Sequence, residues 1–148
     1  MTTERFSDGG PHEPIAGYSR AVRRGGRIMV SGTTARGEAA EGDTYTQARD
    51  CLERVLAAVL ALGGRREDVL RTRVYLAPAA DWALASRAHA ELLGDVAPAN
   101  TMLSVAGLIG DGLLVEIEAD AEVGAETGGE ADAGGGAAAR GGVEGDRP

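Results

Sequence analysis

The chain of 148 residues contains no lysine; its fifteen basic residues are all arginine, set against 23 acids, for a formal net charge of −8. Without lysine there is no Schiff-base, pyridoxal-phosphate or phosphate-loop lysine chemistry. A single cysteine, Cys51, excludes an internal disulfide and any multi-cysteine metal site. The two histidines, His12 and His89, stand far apart, so no His-rich metal site is expected. Aromatic residues are scarce: Phe6, Tyr18, Tyr45, Tyr75 and Trp82. Few stacking platforms and an acidic balance argue against nucleic acid and against an anionic membrane surface as partners. No apolar run approaches the roughly 18 residues a membrane helix needs. The N-terminus lacks the charged-then-apolar layout of a signal peptide, and a lone thiol suits a reducing compartment; a cytoplasmic location is expected.

Composition shifts along the chain. Residues 124–148 hold nine Gly, six Ala and five acids, with Val143 as the one larger aliphatic. Such a stretch cannot bury enough apolar surface to offset its ordering entropy, so a disordered tail is predicted there. Residues 1–13 are also expected to be flexible, which leaves 14–123 as the folded domain.

Within that domain, residues 18–23 and 27–31 read as two strands joined at Gly25-Gly26. Thr44 and Gln47 match a capping box, and Ala48, Cys51, Leu52, Val55, Leu56, Val59 and Leu62 form one apolar helical stripe. Residues 69–76 alternate, with Leu70, Thr72, Val74 and Leu76 on one face and Arg71, Arg73 and Tyr75 on the other. A second helix is predicted over 80–93, with Trp82 as a core anchor and His89 at the core's edge. Residues 101–106 and 113–123 read as strands; in the latter, Glu116, Glu118, Asp120 and Glu122 share a polar face. The order is ββαβαββ, an α+β unit in which two helices cover one face of a single sheet. The other face is mixed in polarity, which suggests packing against copies of the same chain.

Four segments, in order, carry a family resemblance. They are Gly17-Tyr18-Ser19-Arg20-Ala21-Val22, Ile28-Met29-Val30-Ser31-Gly32, the stretch from Leu60 to Gly64 continued by Asp68 to Leu76, and Pro98-Ala99 with Val115-Glu116-Ile117-Glu118-Ala119. Together they resemble the Rid (reactive intermediate deaminase, YjgF-like) family over residues 14–123. The resemblance implies a chorismate-mutase-like fold and a homotrimer with ligand clefts between subunits. It also implies hydrolysis of reactive enamines or imines to a carbonyl compound and ammonia, with no metal or other cofactor. In such deaminases an arginine grips the substrate carboxylate and a glutamate places the attacking water.

The resemblance puts Glu116 at that glutamate and Asn100 where the arginine would stand; Met102 replaces a cysteine and Ser86 an asparagine. A neutral amide cannot form the charge-assisted, bidentate pair of an arginine, and carboxylate affinity would fall roughly ten- to a hundredfold. A substrate other than 2-aminoacrylate is therefore expected. Glu116 is the candidate catalytic base, or simply one acid of a solvated strand face. Tyr18, Ser31, Gly32, Thr33, Asn100, Thr101 and Met102 are the candidate substrate-binding residues. Against that stand plainer readings: turn chemistry for Asn100, Ser31 and Thr33, and a half-buried strand aromatic for Tyr18. Arg71 and Arg73 read as anion contacts or as partners of surface acids. Cys51, inside the apolar stripe, is expected to be inert. The expected function is cofactor-free imine or enamine hydrolysis by a homotrimer acting on a small molecule; the alternative is a trimer that binds a small molecule without turnover. A ribonuclease role sits poorly with the charge.

Overall fold

A computed structural model describes residues 1–124. The predicted disordered tail lies, apart from Gly124, outside the described residues. The elements are β1 (Thr3–Phe6), α1 (His12–Ala16), β2 (Ala21–Arg24), β3 (Arg27–Thr34), α2 (Thr44–Ala61), β4 (Val69–Leu76), α3 (Trp82–Leu93), β5 (Ala99–Ser104) and β6 (Val115–Glu122), with 3-10 turns at Gly37–Glu41 and Arg66–Asp68. One six-stranded sheet runs in the order β1-β2-β3-β6-β4-β5. Only β4 and β5 pair in parallel, and α3 is the crossover that a parallel pair requires. Strand β6 enters between β3 and β4, antiparallel to both.

Helices α2 and α3 pack on one face, as the α+β reading expects. Alternation on β6 turns Val115, Ile117, Ala119 and Ala121 inward, where they meet Leu52, Val55 and Val59 of α2 and Ala85, Ala88 and Leu93 of α3 in one cluster. Alanines on β6 and on the facing helix turns keep that layer thin, so the helices approach the strands closely. Gly25 turns the β2–β3 hairpin at φ 61°, a conformation that favours glycine.

Several expectations need correction. The first thirteen residues are not loose: β1 pairs antiparallel with β2, from Thr3↔Arg24 to Phe6↔Ala21, and Phe6 packs against the core. Backbone pairing to an open sheet edge ordered a segment too short to show a period. The α2 cap is Asp43, whose carboxylate accepts from the Thr46 N–H at 2.9 Å; the Thr44 hydroxyl accepts from the Asp81 N–H at 3.0 Å instead. Trp82 is 68% exposed, because it is the first residue of α3 and faces solvent beside the Asp81 cap. Leu70 is also exposed, turned outward by a bulge between Val69 and Arg71.

Candidate functional site

Glu116 lies on the sheet face away from α2 and α3, between Thr34 of β3 and Tyr75 of β4. A register shift between Val30 and Thr33 opens the β3 edge beside it. Here Gly32 lets the carboxyl group approach the backbone: a Cβ at position 32 would fall well inside van der Waals contact with Glu116 Oε1, so that carboxyl group would have to shift. The backbone and the carboxyl group therefore touch. Burial, and after it repulsion from Glu118, raise the Glu116 carboxyl above its ordinary value, while Arg20 pulls it partly back. A carboxyl raised by burial in a recess is a candidate for proton transfer.

The recess has a volume of about 440 Å³ and is lined by Tyr18, Arg20, Gly32, Thr34, Arg36 and Glu116, with residues 10–12 and Ile109 at its rim. Its wall is a network that the sequence reading missed. Buried Arg20 donates from Nη1 to the Gly32 carbonyl at 2.7 Å and to Thr33 Oγ1 at 3.0 Å. Its guanidinium also lies 5.8 Å from the centroid of the Tyr18 ring. Asp8 gathers Arg20, Arg36 and Arg54 at 3.5, 3.1 and 2.5 Å. Burial alone would raise the Asp8 carboxyl, but the Arg54 hydrogen bond and the Arg20 charge outweigh it and hold it well below the usual carboxylate range. Asp8 thereby ties the N-terminal segment to the residue that leads into β2, to the loop after β3 and to α2. No periodic signal marks such a residue before its partners are known.

Of the candidate binding residues, Tyr18 and Gly32 line this recess with the candidate base Glu116. Ser31 and Thr33 do not. The Ser31 hydroxyl donates to the Ser19 carbonyl at 2.7 Å. Thr33 is fully buried by the bulge and donates to the Ser31 carbonyl at 2.8 Å, so it has no surface to offer a ligand. Thr101 is exposed on the same sheet face as its partner Arg73. Arg73 is paired with Glu118 and Asp120, at 3.2 and 3.3 Å, so the acid-partner reading holds for it.

Asn100 and Met102 sit elsewhere, on the helix-covered face of edge strand β5. They line a second groove, of about 200 Å³, with Ser86 and His89 of α3. Asn100 Nδ2 donates to Thr72 Oγ1 at 2.9 Å, and Thr72 Oγ1 lies 2.8 Å from His89 Nε2. The Ser86 hydroxyl points at Met102 Sδ, 3.7 Å away. Burial lowers the His89 imidazole below its ordinary value. Thus Glu116 and Asn100 occupy opposite faces of one sheet. Cys51 is fully buried and its thiol is pushed up to about 12 by burial, which makes it inert as expected. Among the described residues no group of three or more His, Cys, Asp or Glu could hold a metal ion, and no helix is long and apolar enough to cross a membrane.

Residues 10–123 match the family model described as Endoribonuclease L-PSP. A crystal structure of a YjgF/YER057c/UK114 family member from Mycobacterium tuberculosis is 41% identical, with a TM-score of 0.76 over 82% of this chain and 100% of that one. An uncharacterized protein of Streptomyces coelicolor is 40% identical over 84% of this chain and 98% of its own length. The structure of E. coli TdcF with bound serine is a more distant match, 25% identical with a TM-score of 0.66 over 81% of this chain and 94% of that one.

Proposed function

Because the chain belongs to the endoribonuclease L-PSP family, the Rid or YjgF-like proteins, we propose that it hydrolyses a reactive imine or enamine without a cofactor. The observation that carries this reading is the raised, half-buried carboxyl of Glu116 held against the Gly32 backbone in a recess with Tyr18. An ionised Glu116 takes a proton from water as the water oxygen bonds to the imine carbon. The proton passes on to the nitrogen, the C–N bond breaks, and a carbonyl compound and ammonia leave; the balance is C=NH plus H2O to C=O plus NH3. Tyr18 and backbone groups of β3 position the substrate.

The substrate in this reading is not 2-aminoacrylate or another small α-carboxylate, because position 100 carries no positive charge. The L-PSP name does not bring ribonuclease activity with it: the chain is strongly acidic and has few aromatic residues. The active unit is a homotrimer whose clefts combine the Glu116 recess of one subunit with the Asn100 groove of another.

The test is ammonia release from imines generated in situ by amine and amino acid oxidases. Wild type should accelerate release from a neutral imine, and Glu116→Gln should lower that rate by roughly 10²–10⁴-fold, the usual range for a lost general base. Equal rates for the two proteins would overturn the assignment of Glu116. Small-molecule binding without ammonia release from any imine would favour the non-catalytic alternative.

A further inference from the structure

The groove around Asn100 has a polarity that follows from its hydrogen bonds. Thr72 is fully buried on β4, with Asn100 as its register partner on β5 and His89 above it on α3. The Thr72 oxygen already accepts from Asn100 Nδ2. Its own hydroxyl proton needs an acceptor, because an unpaired buried donor costs about 1–3 kcal/mol. The acceptor in reach is His89 Nε2 at 2.8 Å, which fixes the neutral imidazole with its proton on Nδ1. Burial of the ring favours the same neutral form. The chain of donors thus runs from Asn100 to Thr72 to His89.

The consequence falls on the other half of the Asn100 amide. With its NH2 held by Thr72, its Oδ1 has no partner among the described residues, and Asn100 itself is exposed. We propose that position 100 acts as a hydrogen-bond acceptor, and that the groove takes a neutral ligand presenting an N–H donor, a primary amide or an unsubstituted imine, in preference to a carboxylate. His89 and Thr72 are positioning residues: they fix which end of the Asn100 amide meets the ligand. This deepens the proposed function and rests on the groove being part of its ligand site.

Asn100 is the sole asparagine of the chain and Gln47 the sole glutamine, so the full-length 15N-labelled protein has two side-chain amide groups in its NMR spectrum. The probes are propionamide and propionate, which differ only at the group that would meet Asn100. Propionamide should shift the Asn100 NH2 signals and bind at least about tenfold more tightly than propionate. Asn100→Asp, a fixed acceptor, should keep the preference; Asn100→Arg should reverse it. Thr72→Val, nearly isosteric, should release the amide and bring the ratio towards one. The proposal is overturned if the Asn100 NH2 protons exchange as fast as in a short peptide, if propionate binds as well as propionamide, or if neither probe shifts the signals. Amide preference without ammonia release from any imine would sink the hydrolase reading and leave this one standing. Imine turnover with no amide preference would do the reverse.

Discussion

At the scale of a residue, Glu116 has a sign that can be worked out. Its folded value is raised above the unfolded one, first by burial. The folded state therefore binds the proton more tightly, and the stability this contributes is complete below the unfolded value and lost as pH rises through the folded one. At neutral pH an ionised Glu116 is a burden on the fold. Glu116→Gln should accordingly raise the melting temperature at pH 7 while lowering turnover, and the gain should vanish in acid, where wild type carries the proton. A lower melting temperature at pH 7 would mean that the carboxylate is held by stabilising partners. The rate should also rise with pH to a plateau reached later than for an ordinary carboxylate, because the ionised form is the base. Gly32 tests the same contact from the other side. Gly32→Ala places a methyl where Glu116 Oε1 lies, so activity should fall at least tenfold with near-native circular dichroism; wild-type kinetics would show that the carboxyl group has room to move aside.

At the scale of an element, α2 is held by more than its apolar stripe. Buried Gln47 donates from Nε2 to the carbonyls of Ala40, Gly42 and Gly112 at 3.0–3.1 Å, and its Oε1 accepts from the Leu114 N–H at 2.8 Å. One side chain thus joins the turn before α2 to the loop that leads into β6 and Glu116. Gln47→Leu removes these partners from backbone groups next to the core and should cost about 2–4 kcal/mol in urea unfolding; a loss under 1 kcal/mol would mean that water replaces the amide. The stripe itself was legible in the sequence, because apolar residues at helical spacing have one physical use. The role of Gln47 was not, since a capping box and a buried clamp begin with the same residue. Thr72 and His89 were half legible: each is a polar residue on a face that the period turns inward, and two such faces stacked on each other invite a hydrogen bond. The bulges at Leu70 and Thr33 were hidden, because a strict alternation carries no mark of the place where one extra residue slips in. Asp8 and its three arginines were hidden as well, because ion pairs across 12 to 46 positions leave no local pattern.

At the scale of the whole molecule, the two proposed parts of the site stand apart. Glu116 and Asn100 stand on opposite faces of one sheet, yet the family resemblance assigns them to one cleft. A second copy resolves this if the uncovered face meets a neighbour. That face offers Met29, 46% exposed, with Leu103, 43% exposed, beside the Arg73, Tyr75, Glu118 and Asp120 cluster. Exposed apolar side chains beside ion pairs that are already matched within the chain suit association, because few charges lose water without a partner. Light scattering should give about three times the 15.1 kDa chain mass. Met29→Glu should reduce that to the monomer, because it sets a carboxylate beside its register partner Asp120 in a surface that must lose water. The protomer core lies on the opposite face and would be untouched, so circular dichroism should stay native while imine hydrolysis is lost. A fully active Met29→Glu monomer would place the whole reaction within one chain, with Glu116 and its own recess sufficient and the Asn100 groove a separate site.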